Sequence, residues 1–169
     1  MLEKGELDLC IAYASERRPH LQYEKLACVR PVLAVSPRSA LLSRAFREEG
    51  YIYPVLKDEE WMNQPYVYIT AATYSGRLAE GLFSRLGKSP PIRLFTEDTD
   101  TALSAVENGI GNTFVLALPQ TERLVRFLSL PGMEEHAVDV CAITRKQDFY
   151  SRKTNALIGI AKKYYNDML

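Results

Sequence analysis

Three aliphatic hydroxyls and a glycine stand together in Thr70-Ala71-Ala72-Thr73-Tyr74-Ser75-Gly76, directly ahead of the apolar-periodic run Arg77 to Leu86. Leu78, Leu82 and Phe83 or Leu86 fall on one side of a helix there. Unpaired N–H groups at a helix start, together with the positive end of its dipole, can hold a carboxylate or phosphate, and Ser or Thr adds donors. The plainer use of such hydroxyls is N-capping, which needs only one of them. Thr73 and Ser75 are the favoured anion donors, with Thr70 and the backbone at Ala71 beside them and Arg77 as a possible assistant.

A second junction of interest is Thr101 to Gly111, which reads as a helix stopped by glycine and followed at once by a strand from Asn112 to Leu118. Gly109 suits the left-handed conformation that ends a helix, and Gly111 allows the backbone to approach a neighbour or a ligand closely. Thr99 or Asp100 would cap this helix, and Thr99, Asn112 and Thr113 join the candidate ligand-binding groups. Asp98 and Asp100 are close in sequence, but alternating acids at a helix entrance are usually caps, and no histidine or reactive cysteine accompanies them.

These groups need a scaffold, and the chain punctuates one. Leu7 to Tyr13 and Leu26 to Ser36 read as strands, the latter closed by Pro37. Ser39 can cap a helix through Ala40, Leu41, Ala45 and Phe46, ended by Gly50. A short acidic turn or helix at Asp58 to Asn63 precedes the strand Tyr66 to Thr70. The strand Ile92 to Phe95 follows Pro90-Pro91. Leu124 to Leu128 and Ala137 to Thr144 are extended, and a last helix runs from Thr154 to Leu169 with Leu157, Ile160, Ala161 and Tyr164 on one face. Alternating strands and helices predict an α/β fold with parallel pairing and ligands beyond the carboxyl ends of strands. Tyr13, at the end of the first strand, is a further cleft candidate.

The 169 residues carry balanced charge, 21 basic and 21 acidic, with 47% hydrophobic content. A chain of this size buries roughly 70% of its unfolded surface. Balanced charge argues against this chain gripping nucleic acid itself. Cys10, Cys28 and Cys141 form no Cys-x-x-Cys pair and read as reduced core side chains; His20 and His136 are far apart and offer no ligand spacing. No metal, cofactor or catalytic residue is expected. Neither a bilayer-spanning run nor a signal peptide's hydrophobic centre is visible, so a cytoplasmic protein without a membrane partner is expected.

The order of motifs resembles the effector-binding domain of LysR-type transcriptional regulators. The residues that carry the resemblance are Leu2 to Ala12, Leu33-Ala34-Val35-Ser36-Pro37, Pro65 to Ile69 followed by Gly76-Arg77, and Phe83 with Gly87 and Pro91. The set Thr101, Val106, Gly109, Gly111 and the closing Ile143-Thr144-Arg145-Lys146 complete it. The resemblance implies a two-lobed fold like that of type 2 periplasmic binding proteins. Residues 1–36 would form part of the first lobe and a crossing strand, 37–135 the second lobe, and 136–169 the return crossing strand and the first lobe's terminal helix. It also implies a small-molecule effector, of organic-acid type, in the cleft between lobes, self-association as a dimer or higher, and DNA binding by a separate winged helix-turn-helix domain. The family's first strand, helix, strand and helix have no counterpart ahead of Gly5, so the chain reads as amino-terminally truncated. Transport by a solute-binding protein of the same architecture is the alternative function, and an enzyme or an unrelated α/β interaction domain are lesser ones.

Overall fold

In a computed structural model of the chain, residues 1–14, 16–116, 124–146 and 151–168 are described. They divide into two compact units, Met1–Val29 with Ala137–Leu169, and Arg30–His136. The expected strand endings at Leu118 and Pro119 and the expected helix end at Leu169 lie outside the described residues.

The first unit is an antiparallel sheet in the order β1 (Cys10–Tyr13), β8 (Val138–Arg145), β2 (Leu21–Val29). Cys10 is opposite Ile143, and Val29 is opposite Val138. Helix α3 (Arg152–Met168) packs on β2 through Ile158 and Ala161, which are buried, and Lys162 pairs with Glu24. Of the face expected from sequence only Ala161 packs, joined by Ile158. Leu157, Ile160 and Tyr164 are 54, 66 and 55% exposed, so α3 carries two apolar stripes and this unit covers only one.

The single extended run expected from Leu26 to Ser36 is two strands, β2 in the first unit and β3 (Pro31–Val35) in the second. Pro31 has no N–H to donate to a ladder, which suits it to the start of a strand. In the second unit β3 lies between β6 (Thr113–Leu116) and β7 (Arg126–Leu128), antiparallel to both. β4 (Tyr66–Ile69) and β5 (Ile92–Thr96) pair in parallel. A parallel bridge from Tyr66 to Asn112 continues β4 onto the β6 side. Parallel pairing therefore holds at the βα units, while β3 and the first unit's strands are antiparallel.

Helix α1 (Tyr74–Leu86) and helix α2 (Thr99–Glu107) belong to opposite faces of this sheet. Leu33, Val35, Tyr66 and Phe114 face the α1 side with Trp61 and Phe83, where Tyr66 and Trp61 each meet an aromatic ring edge-on at 5.2 Å. Val32, Ala34, Val67 and Ile69 face Ala102, Leu103 and Val106 of α2. The alternation of side chains along β3 and β4 supplies both layers, so these strands are apolar throughout.

The helix expected from Ala40 to Gly50 shrinks to a 3-10 turn, Ala40–Ser43, capped as expected by Ser39, which accepts from Leu41 N. Beyond it Phe46 exchanges backbone hydrogen bonds with Val55, 3.1 and 2.8 Å, and this pairing overrides the helical spacing. The acidic segment makes another 3-10 turn, Glu60–Asn63.

Candidate functional site

Helix α1 begins three residues earlier than the apolar spacing suggests because Thr73 caps it. Its hydroxyl accepts from Gly76 N at 3.0 Å and donates to the Thr70 carbonyl at 2.9 Å. Both capacities of that hydroxyl are thus occupied, and Thr73 positions the helix start instead of offering a donor to a ligand. Ser75 in the first turn is 8% exposed, and its hydroxyl has no hydrogen-bond partner among the described residues. Thr70 Oγ1 receives only a long contact, 3.4 Å, from Ala72 N. Arg77 folds back and donates to the carbonyls of Ala71 and Ala72, at 3.3 and 3.1 Å, which braces the loop at Ala71.

Gly76 fixes how close this helix start lies to the sheet. A Cβ there would stand 2.1 Å from the Thr70 carbonyl oxygen and 2.4 Å from that of Ile69. Only a bare backbone fits, so the hydroxyl loop is set tightly on the carboxyl end of β4.

Thr70 N donates to Thr96 O at 2.9 Å, which joins the carboxyl ends of β4 and β5. Helix α2 follows β5 immediately. Its cap is Asp98, not Thr99 or Asp100: Oδ1 accepts from Thr101 N and Oδ2 from the Thr101 hydroxyl, both at 2.7 Å. These hydrogen bonds hold the Asp98 carboxyl below the usual aspartate range, the Thr101 N–H contributing most. Thr99 becomes the first residue of the helix and is exposed. Thr70, Ala71, Ser75 and Thr99 therefore gather at one end of the sheet, with the amino ends of two helices.

Asn112 and Thr113 do not join them. Tyr66, at the amino end of β4, is opposite Asn112, so Asn112 sits four residues along the strand from Thr70, roughly 13 Å at the usual rise. The glycine junction opens the amino end of β6, while the hydroxyls stand at the carboxyl ends of its parallel neighbours. Gly109 takes φ +76° as expected for a helix stop. Gly111 serves a neighbour, since a Cβ there would be 2.7 Å from the Pro65 carbonyl oxygen. Thr113 is fully buried beside the Tyr66 hydroxyl, which accepts from Phe114 N at 3.2 Å and is pushed up to about 12 by burial. Its side chain belongs to the core.

Tyr13 ends β1 in the first unit, opposite Val140, and is 41% exposed. Burial of part of its ring, with Tyr165 close by, raises its phenol above the ordinary value.

The sequence matches the LysR substrate binding domain over residues 1–166. This chain belongs to that family. Among solved structures it is similar to the effector binding domain of QuiR in complex with shikimate, with TM-score 0.68, 17% identity, and coverage of 98% of this chain and 75% of that one. HinK, a LysR family transcriptional regulator from Pseudomonas aeruginosa, gives TM-score 0.74 at 15% identity over 99% of this chain and 56% of that one. The CcmR regulatory domain of Synechocystis PCC6803 in complex with 2-PG gives TM-score 0.69 at 12% identity over 99% and 77%. No curated protein sequence matches the chain. These identities show the fold, an α/β type like that of periplasmic binding proteins, and the family match shows the regulatory, ligand-sensing class expected from the sequence. The transport alternative gains nothing from either finding. Among the described residues no helix is long and apolar enough to cross a membrane.

Proposed function

We propose that this chain is the effector-sensing part of a LysR-type transcription factor and that it holds a small organic carboxylate at the carboxyl ends of β4 and β5. Thr70, Ala71, Ser75 and Thr99 are its contacts in the second unit. The observation that carries this reading is Ser75: a residue 8% exposed, in the first turn of a 13-residue helix, whose hydroxyl has no partner among the described residues and is open to a ligand. A carboxylate there would meet the Ser75 hydroxyl and unpaired helix N–H groups in a partly desolvated place, where such hydrogen bonds are strong. Support for the ligand class comes from the effector binding domain of QuiR, described in complex with shikimate, and from that of BenM, described with its effector benzoate; both ligands are carboxylates.

The two compact units play the part of the family's two lobes, in a cytoplasmic oligomer whose DNA contacts are made by a separate winged helix-turn-helix domain. No bond is made or broken in the chain. An effector regulates only as far as it prefers one arrangement of the protein over another.

Isothermal titration of a panel of small carboxylates, with shikimate and benzoate included, tests the site. Ser75→Ala should weaken the tightest ligand about tenfold or more, because one charge-assisted hydrogen bond is lost. Equal affinity in that variant removes Ser75 from the site, and a panel without any saturable binder removes the carboxylate reading.

A further inference from the structure

The amino end of the same sheet carries a cavity of about 390 Å³, on the side away from the hydroxyl loop. Arg38, Gln64, Glu107, Asn108 and Asn112 are among the residues that line it. Asn112 is 6% exposed and its backbone is fully used, N donating to Pro65 O and O accepting from Val67 N, each at 2.8 Å. Its carboxamide has no hydrogen-bond partner among the described residues. The carboxamide opens onto the cavity, with two N–H donors and a carbonyl acceptor free for a molecule held there.

The remaining lining decides the class of molecule. Arg38 is exposed, and its guanidinium has neither an ion pair nor a hydrogen bond among the described residues. Glu107 uses Oε1 to accept from Leu124 N at 3.0 Å, which leaves its second oxygen. Asn108 donates Nδ2 to Ser104 O at 2.8 Å, which leaves Oδ1 as an acceptor. One cation and two carboxamide donors therefore face one anion and further acceptors. No aromatic ring lines the cavity, so the stacking platform of a base or sugar site is missing from the lining.

We infer that this cavity is a second ligand site, and that it takes a small zwitterion of the α-amino-acid class. Arg38 and the Asn112 amide receive its carboxylate, while Glu107 and Asn108 Oδ1 receive its ammonium. The site is independent of the carboxylate site at the opposite end of the sheet and does not rest on it.

The test follows backbone amide signals of the ¹⁵N-labelled whole chain during titration with L-serine, L-glutamine and L-alanine, and with acetate and ethylamine as half-ligands. The expected result is saturable shifts at Gly109, Gly111 and Asn112 with at least one amino acid and none with either half-ligand. Arg38→Met and Glu107→Gln should each weaken that binding about tenfold or more, at an unchanged melting temperature, while Arg47→Met, a surface charge control, leaves it intact. Absence of saturation with all three amino acids overturns the inference. So does saturation by acetate alone, an unaltered affinity in Arg38→Met, or a response confined to residues 70–75.

Discussion

Two glycines of the second unit make opposite predictions, because one is a matter of contact and the other only of entropy. Gly76 holds α1 against β4, and the methyl group of Gly76→Ala would have to displace two backbone carbonyls, the nearer at 2.1 Å. Such overpacking should cost about 3 kcal/mol. For a chain of this size that lowers the melting temperature by roughly 6–12 °C. Gly81 sits in the middle of the same helix with nothing within 4 Å of an added Cβ. Gly81→Ala should therefore stabilise by about 0.5–1 kcal/mol. A scanning calorimetry comparison of the pair checks both signs; a mild Gly76→Ala would mean that the helix does not seat on the sheet as described. Asp98 gives a pH prediction. Its carboxyl titrates below the ordinary range because the Thr101 N–H and hydroxyl favour the charged form. The cap's contribution is thus complete above the unfolded aspartate value and is lost as pH falls through the lower folded one. Asp98→Asn should flatten that acid limb of the stability curve while leaving its neutral-to-basic side parallel to that of the parent.

At the scale of elements, what the sequence could announce was whatever local chemistry enforces. The Ser39 cap, the hydroxyl cap of α1, the left-handed Gly109 and the apolar strand β4 are all local signals, and each stands within a few residues of where it was expected. The misplacements came from contacts distant in sequence. Phe46 pairs with Val55 and aborts a helix; the Tyr66–Asn112 bridge sets a register that puts Asn112 at the far end from Thr70; and nothing in the hydroxyl cluster says that Thr73 alone would take the cap and leave Ser75 unpaired. The terminal helix is the most instructive case. Its sequence has two apolar stripes, and spacing cannot say that Ile158 and Ala161 would face β2 while Leu157, Ile160 and Tyr164 stay open. Ile11 on β1 is 45% exposed as well, and among the described residues β1 pairs only with β8. An unpaired strand edge and an uncovered helix stripe in one small unit favour association with another chain. The 169-residue chain should therefore self-associate through its first unit. Ile11→Lys combined with Ile160→Lys should shift the mass measured by multi-angle light scattering toward the monomer; a parent chain that is already monomeric at the same concentration contradicts the argument.

At the scale of the whole molecule, the two proposed sites, one for an anion and one for a zwitterion, lie at opposite ends of one sheet in the second unit, separated by the length of its strands. A ligand at either end binds the folded chain and not the unfolded one. At a hundredfold excess over its dissociation constant, each adds about 2.7 kcal/mol of stability. For a chain of this length that is a rise of roughly 5–11 °C in melting temperature. If the strands merely separate two independent sites, the free-energy gains from a carboxylate and an amino acid supplied together should equal the sum of the separate gains. If β4, which starts beside Asn112 and ends at Ile69 next to Thr70, transmits strain between the ends, the joint gain should depart from that sum by a coupling free energy that is the same whichever ligand is added first. The two ends share a closely packed sheet whose register is pinned by Gly76 at one end and Gly111 at the other, so neither end has room to shift. Additivity is accordingly the expected outcome, measured as melting temperatures in a grid of the two ligand concentrations. A joint gain well above the sum would show that the sheet has a second arrangement and that this domain integrates two signals.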